Sequence, residues 1–378
     1  MPGPLSSLPT ARLLLTLLAA STILSSALPA EKAPTEIRFG VWGNVSMNTV
    51  GGVPTSSELT SLANYLGFFE EEFGKDGTKI NEIFVPGQGP ALNEALAQGD
   101  IDFASYNGLP QTFGLAGGLP AQIVLARRYS GSGNNYYIAV HNDAPIHSIK
   151  DLKGKRISVY KGTASFPPLV TLLEAHGLTD NDVTYVNIQA SDAINAFNAG
   201  AIDAVFGGIN LLILRDQGRL RILERTQNFK LPASASGTLV SNKFAAKYPD
   251  VVKRLIKVLI RTSWWASQEE NREKLLQFIA SRTINYKYVS EDYRGDLRER
   301  YNPLIDEQTV HAYKEIADFA LKHKFLRRAV DEQTIRGWFA PQYQQAALRE
   351  LGLTNYWLDA DKNGTPASKP GANVVAVR

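Results

Sequence analysis

The sequence predicts an α/β protein of two lobes, each a mostly parallel sheet flanked by helices, with two crossover segments and a ligand between the lobes. The first observation behind this is the stretch Val85–Pro110, VPGQGPALNEALAQGDIDFASYNGLP. Pro86, Gly87 and Gly89 break a preceding strand, and Pro90 stands at a helix start, where its missing N–H costs nothing. Leu92, Ala95 and Leu96 give that helix an apolar face, and Gly99 caps it. Ile101, Phe103 and Ala104 then begin a strand that closes on Ser105-Tyr106-Asn107. The second observation is that the design recurs from Gln189 as QASDAINAFNAGAIDAVFGGIN. There Ala196, Gly200, Ile202 and Asp203 fall on Ala95, Gly99, Ile101 and Asp102. The third is the alternation of strand and helix patterns, which argues for parallel sheets.

In order along the chain, Glu36 to Trp42 alternates as a first strand, ended by Gly43-Asn44. Thr55 to Phe73 has helical spacing, with Leu59, Leu62, Ala63, Leu66 and Phe69 on one face and Gly74 and Gly77 stopping it. Ile80 to Val85 and Ala121 to Ala126 are further strands, and the Gly/Ser-rich run from Arg128 to Asn135 marks the first crossing. In the second lobe Tyr136 to Val140, Arg156 to Tyr160 and Val183 to Ile188 read as strands. Ser148 to Lys153 reads as one helical turn, and Phe166 to Ala175 as a helix with Pro167 and Pro168 in its first turn. Leu220 to Leu223 is the expected return crossing and Arg225 to Pro232 a linker. Pro249 to Trp265, Val310 to Leu326 and Glu332 to Leu351 have helical patterns, with Trp264 and Trp265 as core residues. The expected division is a first lobe from 35–128 and 226–353, a second lobe from 129–225, and a tail, 354–378, that wraps the surface or stays loose.

Residues 1–30 read as a signal peptide. Arg12 precedes the apolar run Leu13–Leu24, Ser25-Ser26-Ala27 offers small residues, and cleavage is expected near Ala27 or Ala30. The run is shorter than the ~20 residues of a membrane span, and no later stretch serves as one. The expectation is a soluble, periplasmic monomer. With 0 Cys the chain has no disulfide, thiolate metal site or cysteine nucleophile. His141, His147, His176, His311 and His323 lack HxxxH or HExxH spacing, so no metal site, His-based triad or cofactor is expected. Lys and Arg number 40 against 37 Asp and Glu, which gives no reason to expect nucleic-acid binding.

The strongest binding candidate is Lys161-Gly162-Thr163-Ala164-Ser165, between a strand and the Pro-started helix. N–H groups at a helix start carry partial positive charge, and Thr163 and Ser165 add hydroxyls. The segment reads either as an anion site or as capping by Ser165, and its echo in Gln88-Gly89-Pro90-Ala91 favours the anion. Asn44, Tyr106-Asn107 and Gly207-Gly208 end strands on the side where open α/β sheets bind ligands. Trp42, Tyr106 and Phe206 read as apolar walls or as packing, and Arg128 as an anion partner or, better, a hinge-side charge. Asp102 and Asp203 have the look of a carboxylate pair, but their place straight after a turn favours local capping. Gly87-Gln88-Gly89 lacks the Lys and third Gly of nucleotide loops.

On these residues the chain resembles the periplasmic substrate-binding proteins of ABC importers for aliphatic sulfonates, taurine and nitrate. The resemblance is carried by LGFFEEEFGKDG from Leu66, GPALNEALAQGDIDFASYNGLP from Gly89, SIKDLKGKRISVYKGTAS from Ser148 and SDAINAFNAGAIDAV from Ser191. It implies a type II periplasmic binding-protein fold that closes over a small anionic ligand, an alkanesulfonate or taurine, and delivers it to an ABC permease in the inner membrane. By motif it places ligand contacts on Asn44, Gln88, Gly89, Tyr106, Asn107, Gly162, Thr163, Ala164, Ser165 and the loop after Val205 that holds Gly207. Two loops depart from the pattern. Phe206-Gly207-Gly208-Ile209 stands where sulfonate binders often carry Trp and Pro, and WGNVSMNTVGG from Trp42 where a short Gln-bearing turn is common. Nitrate and a thiamine-precursor heterocycle are the alternative ligands, the latter if acidic side chains line the cleft. Relatives of the fold that make a thiamine pyrimidine precursor use a Cys-rich motif, which this chain lacks, so an enzyme is not expected.

Overall fold

The computed structural model describes residues 33–41, 58–129, 135–163, 165–226, 234–283 and 285–358, with Met1 and Gly3. The signal-peptide reading, Trp42, Asn44, Ala164 and nearly all of the tail lie outside the described residues. The fold lies in the second of two compact units, Met1–Lys32 and Ala33–Arg378.

Five strands form the first sheet: β1 (Glu36–Val41), β2 (Lys79–Phe84), β3 (Phe103–Asn107), β4 (Ala121–Tyr129) and β10 (Ser234–Ser241). Five form the second: β5 (Tyr137–Val140), β6 (Arg156–Val159), β7 (Thr184–Asn187), β8 (Ala204–Gly207) and β9 (Arg221–Arg225). The orders are β2-β1-β3-β10-β4 and β7-β6-β8-β5-β9, the same scheme twice. β1 runs parallel to β2 and β3, and β6 to β7 and β8. The exceptions are β10, antiparallel to β3 and β4, and β5, antiparallel to β8 and β9. Each is the first strand after the chain passes from one sheet to the other.

Helices α1 (Glu58–Tyr65), α2 (Phe68–Phe73), α3 (Gln88–Gln98) and α4 (Gly108–Ala116) fall between strands of the first sheet. Helices α5 (Phe166–Ala175), α6 (Ala190–Asn198) and α7 (Asn210–Asp216) fall between strands of the second. After β10 come α8 (Asn242–Lys247), α9 (Pro249–Ser267), α10 (Arg272–Thr283), α11 (Tyr286–Asp292), α12 (Leu297–Arg300), α13 (Glu307–Lys322), α14 (Glu332–Arg336) and α15 (Pro341–Glu350). Both faces of each sheet are covered, as mostly parallel sheets require. In the first sheet Phe39 and Phe103 pack with Val252, Leu255 and Leu259 of α9, while Ala104 and Leu239 pack with Leu92 of α3 and Tyr313 of α13. In the second, Ile138 and Ile157 pack with Leu169 of α5, and Tyr137 and Val205 with Phe197 of α6.

Several elements differ from the sequence reading. Gly67, at φ +75, divides the helix expected over Thr55–Phe73 into α1 and α2. Leu220–Leu223 is not a crossing, because Arg221–Arg225 pairs with β5 as an edge strand. The helix expected over Glu332–Leu351 is interrupted before Pro341, which cannot continue the ladder. No element is expected from the sequence at β10, α4, α7, α8 or α10 to α12. Trp265 is buried and Trp264 packs against the same core, as expected. Among the described residues no helix is long and apolar enough to cross a membrane.

Candidate functional site

The candidate residues sit where parallel strands hand over to helices: Gly87 before α3, Asn107 before α4, Tyr160 to Ser165 before α5, and Gly208-Ile209 before α7. In the first sheet α3 approaches α4 closely at Gly89, whose backbone lies against the Pro110 ring. A Cβ on Gly89 would fall 2.4 Å from Pro110 Cγ and 3.4 Å from a ring carbon of Tyr106. Tyr106 is 4% exposed, and its hydroxyl donates to Asn93 Oδ1 at 2.5 Å. Burial pushes that hydroxyl well above the usual phenol pKa. Asn93 Nδ2 donates in turn to the Pro110 carbonyl at 2.8 Å. Gln111 Nε2 ties the Tyr106 and Gly237 carbonyls at 2.8 and 2.7 Å, and the Tyr313 hydroxyl donates to Gln111 Oε1. Tyr106 thus spends its polar group inside the first sheet's core. Asn107 stays half-buried, and its carboxamide has no hydrogen-bond partner among the described residues.

In the second sheet Gly162 has φ +83, a conformation that strains any side chain. A Cβ there would lie 3.8 Å from a ring carbon of Phe113 on α4, so this loop faces the first sheet's helix. The Thr163 hydroxyl donates to the Tyr160 carbonyl at 2.7 Å and lies 3.0 Å from the Ser165 hydroxyl. Ser165 makes no side-chain cap on α5, so the capping alternative does not describe it. The helix start is also a poorer donor than its position implies. The Phe166 N–H is spent on the Thr163 carbonyl at 3.3 Å, and Pro167 and Pro168 have no N–H to give. The expected helix-start donors are therefore replaced by the loop itself, where Ser165 is the hydroxyl left to donate because the Thr163 proton goes to the Tyr160 carbonyl.

Gly207 pairs with Tyr137 in the sheet, and Phe206 is buried against Tyr136, their rings 5.3 Å apart, so Phe206 packs rather than walls a ligand. Ile209 beyond them packs against cores of both sheets. The Gln88 and Arg128 side chains lie outside the described residues.

Asp102 and Asp203 do not cap local turns. Asp102 accepts the Arg38 backbone N–H at 2.9 Å and its guanidinium at 2.7 Å, while the Asp102 N–H donates to the Arg38 carbonyl at 2.8 Å. Asp203 repeats this with Arg156, at 2.8, 2.9 and 2.9 Å, and the guanidinium holds its carboxyl below the usual range. Each clasp ties neighbouring parallel strands at the end away from the candidate loops. The signal was present in Arg38 of β1 and Arg156 of β6, which hold the same place in their sheets, but only strand pairing brings them to their carboxylates.

The sequence reading missed the rim. Phe319 of α13 and Phe325 just beyond it pack against cores of both sheets. The Phe325 ring is 5.4 Å from Phe113 and 5.9 Å from Phe166. His323 lies against Phe166 and Phe319, with Nδ1 2.9 Å from Asp180 Oδ2 and Nε2 buried without a partner among the described residues. Burial lowers its pKa. Asp180 also accepts the Tyr185 hydroxyl at 2.9 Å, and Lys322 pairs with Glu174 at 2.5 Å. Elsewhere α11 holds the second sheet through Glu291, which takes Arg215 at 2.9 and 3.0 Å and Arg225 at 2.5 Å. Arg215 first, then Arg225, hold its carboxyl at about 2. Among the described residues no group of three or more His, Asp or Glu is placed to hold a metal ion.

Two sheets of one scheme, each completed by a strand arriving from the other, with the Gly162 loop of one near α4 of the other, make this a periplasmic-binding-protein fold. Residues 59–271 match the family described as NMT1/THI5 like, and the chain belongs to that family. A Bacillus subtilis (strain 168) protein named as an aliphatic sulfonates-binding protein is 29% identical over 286 residues, 75% of this chain and 84% of the relative. A solved structure from Methylobacillus flagellatus KT, described as a periplasmic sulfonate-binding protein, superposes with a TM-score of 0.70 at 26% identity, covering 88% of this chain and 98% of the other. The desulfurization enzyme DSZB shares the fold at a TM-score of 0.62 and 17% identity, over 83% of this chain and 99% of its own. The fold therefore carries catalysis in one neighbour and binding in others.

Proposed function

We propose that this chain is the extracytoplasmic solute-binding component of an ABC importer and that it clamps a small organic sulfonate between its two lobes, 35–128 with 226–353 and 129–225. The observation that carries the reading is the approach of the Gly162 loop to Phe113. It brings the loop that carries the Ser165 hydroxyl near α4, the helix that follows the uncommitted Asn107 carboxamide. A sulfonate is permanently charged and needs hydrogen-bond donors, not an acid. A hydroxyl and an amide suit it, and the two repeated carboxylates are already held by Arg38 and Arg156. A ligand that touches both lobes favours their closed arrangement by its differential affinity. The names of the two binding-protein relatives agree with this chemistry, the signal-peptide reading with export, and the absence of Cys with binding rather than thiolate catalysis.

The test is a thermal-shift screen of alkanesulfonates, taurine, nitrate, phosphonates and thiamine precursors, since a ligand for the native state raises the melting point by mass action. An alkanesulfonate is expected to give the largest shift. Ser165→Ala with Asn107→Ala should then weaken binding at least about tenfold in calorimetry, roughly 1.4 kcal/mol, and leave the unliganded melting point nearly unchanged. A shift with thiamine precursors alone, or full affinity in the double variant, overturns the reading.

A further inference from the structure

Helix α13 ends in the turn Lys322-His323-Lys324-Phe325-Leu326-Arg327-Arg328. Lys324 has φ +62, and among the described residues every other residue at positive φ is glycine. The Lys324 N–H donates to the Leu321 carbonyl at 3.0 Å and the Phe325 N–H to the Ala320 carbonyl at 2.8 Å, a helix ending whose left-handed position favours glycine. The chain accepts a strained backbone there and carries an ammonium group instead. Such an outlier points to a use for the side chain.

The charges on this turn are also unlike those around it. Lys322 is paired with Glu174, Lys314 with Asp318, and Arg336 with Glu307 and Glu332. The side chains of Lys324, Arg327 and Arg328 are exposed and have no ion pair or hydrogen bond among the described residues. Phe325, inside the turn, touches both Phe113 and Phe166, the rings beside the Gly162 loop. Across from it the Lys161 ammonium rests over the Phe166 and Tyr185 rings, at 5.7 and 5.1 Å. Four cations without an acidic partner among the described residues therefore sit on the turn and the loop that meet at Phe166. Of the acids beside α13's end, Glu174 is paired with Lys322, and Asp180 accepts the Tyr185 hydroxyl and lies 2.9 Å from His323 Nδ1.

We propose that the turn closing α13 is a cationic lip whose Lys324, Arg327 and Arg328 draw anions to the cleft by long-range charge without touching the bound ligand. This rests on the reading of the cleft as an anion site. Charge of one sign around a cleft raises the encounter rate of an opposite charge, and salt removes the effect once the screening length falls below the separation. Dissociation, set by short-range contacts, does not change.

Stopped-flow binding of butanesulfonate to the full chain tests this, with wild type, Lys324→Gly and Arg327→Gln/Arg328→Gln compared at low and at physiological salt. The association rate of the variants is expected to fall about threefold to tenfold at low salt, with the difference shrinking as salt is added and the dissociation rate unchanged. Lys324→Gly should also melt above wild type, because glycine relieves the left-handed backbone. This separates lost steering from lost folding. A faster dissociation at constant association rate would make these side chains ligand contacts and overturn the lip. So would rates that match wild type at every salt concentration. A wild-type protein that binds a neutral heterocycle and no anion overturns the site reading, and the lip with it.

Discussion

Gly162 shows how much one residue's backbone can decide. At φ +83 it turns the chain so that Thr163 and Ser165 follow with their hydroxyls 3.0 Å apart. Gly162→Ala is expected to cost about 1 kcal/mol of stability, the usual charge for a side chain in the left-handed region. Its effect on sulfonate affinity should exceed that of Gly177→Ala, which carries the same kind of strain at φ +79 on the far end of α5; calorimetry of the two variants checks it. The segment Lys161–Ser165 was legible in sequence because glycine, hydroxyls and prolines announce a loop before a helix. Tyr106 was not legible in the same way. An aromatic at a strand end serves a ligand or a core equally well, and only the position of Asn93 shows that its hydroxyl is spent inward. His323 is a further residue known only from contact. Burial holds its folded pKa below the ordinary 6.5, so the unfolded chain takes up a proton near that pH that the folded chain refuses. Stability should therefore fall as pH drops from about 7 through this window. His323→Gln should show a smaller drop in melting temperature over the same range. The lowered carboxylates Asp203 and Glu291 do not interfere, because their contributions are lost only below the ordinary carboxylate range.

Among elements, β10 explains most of what the sequence hid. Ser234–Ser241 has small and hydroxylated residues where a central strand usually carries branched ones, so it has little strand signature. Its composition is set by its neighbours. A Cβ on Gly237 would lie 2.9 Å from Ile123 Cγ2, 3.1 Å from the Leu125 carbonyl and 3.1 Å from the Tyr313 hydroxyl. Gly237→Ala is expected to destabilise by about 1–3 kcal/mol through overpacking, seen as a lower denaturation midpoint. The Arg–Asp clasps make a second prediction at this scale. Asp102 is nearly buried and Asp203 more exposed, with side chains 10% and 28% accessible. Asp102→Asn should cost about 2 kcal/mol, the cost of leaving a buried charged donor poorly matched, and Asp203→Asn clearly less. Equal losses on chemical denaturation would contradict this account. The clasps were half legible: the two aspartates stood out by their repeat, whereas their partners are 64 and 47 residues away.

At the scale of the whole molecule, helices that follow β10 reach back to the second sheet at two places, Glu291 of α11 on Arg215 and Arg225, and the end of α13 on Asp180 and Glu174. Glu291→Gln removes the charge that holds α11 there. Hydrogen exchange should quicken in α11 and β9 and stay unchanged in β1 to β3, where nothing touches it. The wild-type contact is at full strength above about pH 4.5 and weakens as pH falls toward 2, since the folded carboxyl is the stronger acid. From its sequence alone the chain determined its fold class, its repeat of helix, glycine and strand, and the strand-end loops before its helices. Those depend on periodicity and on glycine and proline, which act within a few residues. Only the tertiary structure decided which strand crosses to complete each sheet, which aspartates are bound by which arginines, and what stands at the rim of the cleft. These are pairings between distant segments, and their free energy comes from burial and charge contact that no local pattern records.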